Sequence, residues 1–188
     1  DQLRALVAAG HPQAIHWNPP QLLDHMSSTD EIVYCPLLFG YSNYARPGYR
    51  EHLVKFTNIP SANDAPRGAL LGGAGLAISS GTTHPEIVCD YAAFVASAEV
   101  QRGMYFEAGG QPGHRAAWLD AAVNAASNNF FQDTLATLDH AALRPRYNGW
   151  ISMQDSACQL LHRFLLDSGS VERTLDLLDE SYRQSLRV

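Results

Sequence analysis

Apolar residues recur at helical spacing over most of this chain and at strand-like spacing in three short runs. Leu3, Leu6 and Val7 share one face of a segment that stops at Gly10, and they read as the tail of an element that begins earlier. Asn18-Pro19-Pro20 opens a helix with a capping residue and prolines in the first turn, placing Leu22, Leu23 and Met26 on one side. Glu31 to Leu38 is rich in β-formers, and Pro36 marks it as a short or edge strand. His52 to Phe56 is a second strand candidate inside a turn-rich stretch, and Leu70 to Ser79 is a third, laced with Gly72, Gly73 and Gly75.

The remaining pattern is helical. Thr83 is the expected cap of a helix with Pro85 and Glu86 in its first turn and Ile87, Tyr91, Phe94 and Val95 as its buried stripe. Ser97 caps the next helix, with Val100, Met104 and Tyr105 inward, and Gly109-Gly110 ends it. Three more helices follow: Asn129 to Leu138, Ser152 to Leu166 and Val171 to Leu186.

Composition narrows the function. The 188 residues carry 46% hydrophobic and 17% charged residues, an ordinary globular balance with enough chain for a core. Thirteen basic against nineteen acidic residues give a net charge of −6, and no basic run exists, so nucleic acid is not an expected partner. Cys35, Cys89 and Cys158 are too few and too scattered for a disulfide framework or a Cys-x2-Cys metal site, and they read as buried core thiols. The eight histidines include no His-Glu-x-x-His and read as surface or cap residues; neither a metal nor a cofactor is expected. No leader segment and no apolar run of membrane-spanning length is visible.

Two loops carry candidate binding chemistry. In Phe39-Gly40-Tyr41-Ser42-Asn43-Tyr44, aromatic faces offer flat apolar surface to a sugar ring, while Ser42 and Asn43 supply directed hydrogen bonds. In Gly109–Arg115, glycines and Pro112 stiffen the backbone, and Gln111 and Arg115 project several donors. Trp150, after Tyr147-Asn148-Gly149, is a third candidate, and Gly73 is a position of close backbone approach. Ser79-Ser80-Gly81 lacks the Gly-x-Ser-x-Gly elbow, and Gly72-Gly73-Ala74-Gly75 lacks the lysine of a phosphate loop.

Taken together, Gly72-Gly73-Ala74-Gly75-Leu76-Ala77-Ile78-Ser79, His84-Pro85-Glu86, Tyr91-Ala92-Ala93-Phe94-Val95-Ala96-Ser97 and Glu99-Val100-Gln101, with the Gly109–Arg115 loop and Leu143-Arg144-Pro145-Arg146-Tyr147, resemble extracellular solute-binding proteins family 1, the maltose-binding-like receptors of ABC importers. The resemblance covers nearly the whole chain but only the second half of a typical member. It implies an incomplete α/β, periplasmic-binding-protein-like two-lobe fold with a helix-rich C-terminal part. Residues 1–66 would end the second lobe, 67–118 would cross back to the first, and 119–188 would be a helical segment of the second, with the first lobe preceding Asp1. It further implies a non-enzymatic role in the periplasm or outside the cell: binding a small polar solute, a sugar or polyol, for a membrane permease. The ligand residues would be Tyr41, Ser42, Asn43, Tyr44, Gly73, Gln111, Arg115 and Trp150. Self-association is a further expectation, because half a fold exposes core. The alternatives are a small hydrolase or transferase using Ser79, His84 or Asp90, and a helical interaction domain built from residues 119–188.

Overall fold

The computed structural model describes residues 2–62, 65–167 and 169–187. Its helices are α1 (Gln2–Ala9), α2 (Pro19–Met26), α3 (Pro85–Ala96), α4 (Ala98–Arg102), α5 (Met104–Glu107), α6 (Arg115–Trp118), α7 (Ala121–Ala126), α8 (Phe130–Asp139), α9 (Trp150–Leu166) and α10 (Val171–Ser185). The chain divides into two compact units, one of residues 1–17 and 144–188, the other of residues 18–143.

The expected α/β two-lobe fold is not what forms. Among the described residues there is no sheet, only one isolated parallel bridge between Leu70 and Ala142. The three strand candidates at 31–38, 52–56 and 70–79 run as extended or irregular chain. The physical reason is partnership: a strand's backbone groups are satisfied by a neighbour, and these runs find single bonds instead. His52 donates its backbone N–H to Ser27 O and Val54 donates to Tyr44 O, neither of them on a strand.

In the unit of residues 18–143, local signals build the helices. Asn18 Oδ1 accepts from Gln21 N while Gln21 Oε1 accepts from Asn18 N, a reciprocal cap for α2. Ser97 caps α4, and Asp120 Oδ1 caps α7 by accepting from Ala122 N and Val123 N. Asn128 and Asn129, both at positive φ, turn the chain sharply from α7 into α8. The core is aromatic: Phe106, Trp118, Phe130 and Phe131 pack with Ala45 and Val123, edge-to-face at ring separations of 5.0 Å for Trp118–Phe131 and Phe130–Phe131. Buried Asn124 ties this core together, donating to Trp118 O and Asp120 O and accepting from Gln132 N. A second cluster joins Leu23, Tyr44 and Val54.

In the other unit, α9 and α10 pack against each other and α1 contacts α9. Arg4 gathers three carbonyls at the C-terminal end of α9, those of Phe164, Asp167 and Gly169, and its guanidinium lies 3.8 Å over the Phe164 ring. Gly149 enters α9 at φ +91°, and Tyr147 Oη meets Ser185 Oγ at 2.8 Å.

Several local expectations need correction. His84, not Thr83, occupies the cap position of α3, and no side chain closes it. Ile87, Tyr91 and Phe94 are exposed rather than a buried stripe, as are Met104 and Tyr105, whereas Val100 is buried as the pattern requires. A helical period marks an amphipathic face but says nothing of whether anything covers it. The cysteines are not core thiols: Cys35 is half-buried, and Cys89 and Cys158 are exposed. No helix of the described residues is long and apolar enough to cross a membrane.

Candidate functional site

The aromatic turn and the glycine–proline loop, separated by about seventy residues, come together. Residues Ser42–Ala45 form a single tight helical turn, with Tyr41 extended before it. Ser42 donates its backbone N–H to Gln111 Oε1 at 2.8 Å, and Gln111 Nε2 donates to Gly40 O at 3.2 Å. Both ends of the Gln111 amide are therefore engaged with the turn's backbone. Gln111 acts as a strut, not as a free donor for a ligand.

Further bonds hold the loop. Gly113 N donates to Gln101 Oε1 from α4, and the Trp118 indole donates to Pro112 O at 2.8 Å in the buried core. Arg46, just past the turn, reaches Phe106 O with one terminal nitrogen and Gly110 O with the other, and stacks 3.8 Å above the Phe106 ring. Burial lowers the proton affinity of this guanidinium.

Beneath the turn, Tyr44 anchors it to α2. Its hydroxyl donates to Asp24 Oδ1 at 2.9 Å, and Arg50 Nε and Nη2 reach the same oxygen, each at 2.9 Å. The Arg50 guanidinium lies over the Tyr49 ring, which meets Tyr44 edge-on. The Tyr44 hydroxyl holds Asp24 below the usual carboxylate range, with Arg50 adding to it, while burial and the Asp24 carboxylate push the Tyr44 phenol up to about 12.

The signs give a pH window. Asp24, depressed in the fold, contributes stability above its unfolded value near 4 that is lost as pH falls through its folded value. Tyr44, raised, contributes stability below about pH 10 that is lost as pH rises toward its folded value of about 12. Tyr44→Phe should flatten the alkaline arm of a urea-midpoint profile and shrink the acid arm; a profile unchanged at both ends would separate this pair from stability.

Among the described residues, three buried polar atoms in this corner have no hydrogen-bond partner: Ser42 Oγ, Asn43 Oδ1 and Arg46 Nε. Ser42 is 1% exposed. Buried polar groups are paired as a rule, so three orphans within five residues single this corner out. Together they offer a hydroxyl, an acceptor and a single donor. Tyr41 stands half-exposed at the rim.

Of the predicted ligand residues, Tyr41, Ser42, Asn43, Tyr44 and Gln111 share this corner. Tyr44 is buried, so its ring is not open to a sugar face. Arg115, in the same unit, is held bidentate by Asp139 at 2.6 and 3.0 Å. Gly73 lies in exposed chain with open space where a side chain would stand. Trp150 belongs to the other unit, where it meets Tyr147 edge-on and its indole nitrogen is buried without a partner. Arg46 and Asp24 were missed by sequence reasoning. Neither Arg46, in the tract Tyr-Ala-Arg-Pro-Gly, nor Asp24 carries a local signal that marks it.

The groups of the hydrolase alternative do not assemble. Ser79 Oγ accepts from Gly81 N in a turn, and the backbone N–H of His84 donates to Thr82 Oγ1. Among the described residues no hydrogen bond joins Ser79, His84 and Asp90. No protein-family model, no curated protein and no solved structure matches this chain.

Proposed function

We propose that this chain is a non-enzymatic binding module that holds a small neutral polyhydroxylated solute, a sugar or polyol, at the corner formed by Tyr41–Arg46 and Gln111. The observation that carries this reading is the set of buried, unpartnered polar atoms on Ser42, Asn43 and Arg46. Hydroxyl groups both donate and accept, and so match a mixed set of this kind. Three acidic groups of the same unit are already paired with a base. Asp24 faces Arg50, Asp139 faces Arg115 and Asp133 faces Lys55, so each is already compensated. Both terminal nitrogens of Arg46 are already bonded to carbonyls, those of Phe106 and Gly110, which leaves Nε as the nitrogen with no bond. Half-exposed Tyr41 supplies an apolar face for ring C–H groups. The site is a corner of one unit and requires no closing of lobes. By its family resemblance the module would act in the periplasm or outside the cell and pass its ligand to an ABC permease.

Thermal melting and titration calorimetry across neutral mono- and disaccharides, polyols and small organic anions test this. A neutral polyhydroxylated solute should raise the melting temperature by mass action. Ser42→Ala or Asn43→Ala should each weaken binding by about 1 kcal/mol, roughly fivefold to tenfold. Binding confined to anions, or affinity indifferent to both substitutions, would overturn the reading.

A further inference from the structure

Residues 70–81 are exposed without a break, the longest such run among the described residues. Leu76 and Ile78 stand open within it. Among the described residues, 73–78 make no hydrogen bond to any other group. A side chain added at Gly73 or Gly75 would meet nothing within 4 Å. Other exposed aliphatic residues are placed differently. Ile87, Ile151 and Leu175 sit on α3, α9 and α10, where the backbone is bonded turn by turn. The tract 31–38 is irregular too, but Ile32, Cys35 and Leu38 are half-buried at every third position, and Leu38 packs on the Leu23 cluster.

We propose that residues 73–78 are where an endopeptidase with a specificity pocket for small or aliphatic side chains first cuts this chain, and that the cut protein stays assembled. A protease takes its substrate as an added strand, bonding the backbone on both sides of the scissile bond. A segment whose backbone bonds nothing else enters such a cleft as it stands, whereas a helix must first open. The class of enzyme follows from the residues on offer. No Lys or Arg lies between Arg67 and Arg102, and no Phe, Trp or Tyr between Phe56 and Tyr91. The run presents Ala74, Leu76, Ala77 and Ile78 instead, which suit a small apolar pocket. No proline lies between Pro66 and Pro85, so every N–H of the run is available to the enzyme. At the Leu76–Ala77 bond, hydrolysis breaks the amide C–N bond. The oxygen of water joins the Leu76 carbonyl carbon as a carboxylate, and a proton passes to the freed Ala77 amine.

Contacts from both sides of the cut hold the two pieces. Gln111 bonds Gly40 and Ser42, Arg46 bonds Phe106 and Gly110, and Asn58 Oδ1 accepts from Thr137 N. Phe56 meets Phe130 edge-on at 4.9 Å, and Ala45 shares the core of Trp118 and Phe131. In the other unit, Arg4 holds three carbonyls at the end of α9. The cut removes a tether and none of these contacts.

Pancreatic elastase, at a low ratio to the full 188-residue chain, tests both parts. Mass spectrometry of early time points should place the first cut within 73–78, with the two fragment masses together exceeding the parent by one water. The fragments should elute together at the parent's position on native size exclusion, with the helical spectrum retained, and should separate in guanidinium. Leu76→Lys distinguishes access from specificity: trypsin should cut this variant after position 76, a bond it leaves whole in the parent. A first elastase cut within 31–38, or inside a helix, overturns the proposal. So do fragments that part in native buffer, or a Leu76→Lys variant with an unchanged helical spectrum that trypsin leaves whole at that bond.

Discussion

Replacing Phe131 with alanine is expected to destabilise the unit of residues 18–143 by about 3–5 kcal/mol, the usual cost of removing a fully buried aromatic ring. Phe131 is 0% exposed and meets three aromatic partners, Phe106, Trp118 and Phe130, edge-on. A domain of this size has only about 5–15 kcal/mol of total stability, so the variant should lie near the edge of folding at room temperature. Urea denaturation followed by circular dichroism measures the loss. Amide exchange on peptides from α7 and α8 should report faster opening there. Phe131→Leu, which retains most of the volume, should cost far less. A Phe131→Ala variant within 1 kcal/mol of the parent would mean that this ring is not the centre of the core.

Gly149→Ala should produce the second large effect, in the other unit. Gly149 sits at φ +91°, where L-residues carry about 1–2 kcal/mol of strain. A methyl group there would also press into the Ser185 carbonyl oxygen and stand 3.2 Å from its carbon. Both obstacles are backbone and have no rotamer by which to retreat. The expected loss is about 2–4 kcal/mol, seen as a lower helix melting temperature and faster exchange in α10. Gly169→Ala is the matched control, because no neighbouring atom lies within 4 Å of the added carbon and its φ is not positive. Equal melting of the two variants would contradict the close approach at Ser185.

These two positions differ in how far sequence alone reveals them. Phe131 was readable, since Phe130-Phe131 and Leu135 repeat at helical spacing after Asn129 and the helix forms where that pattern places it. Helix starts at Asn18 and Ser97 were equally accessible, because a cap is decided within four residues of chain. The strands were not. Residues 31–38 and 70–79 carry genuine β-forming composition, but a strand exists only with a partner, and partnership is a non-local fact. The stripe on α3 misled for a related reason: Ile87, Tyr91 and Phe94 do lie on one face, and nothing local announces that the face is bare.

The candidate site divides along the same line. The aromatic turn and the glycine–proline loop were visible as unusual loops, each from its own residues. That Gln111 would grip Gly40 and Ser42 from some seventy positions away was not. Nor was the position of Arg46 between Phe106 and Gly110, since a lone arginine before proline looks like any solvent-facing charge.

The Arg46 clasp has a consequence for how this protein can change over generations. One guanidinium ties the end of α5 to the Gly110 loop, and its remaining nitrogen is itself one of the buried atoms without a partner among the described residues. Variation at Arg46 therefore alters architecture and, under the proposed function, recognition together. Under that same proposal Tyr41 and Asn43 would be free of the double duty, and a lineage adapting to a new solute would find its permissible mutations there first.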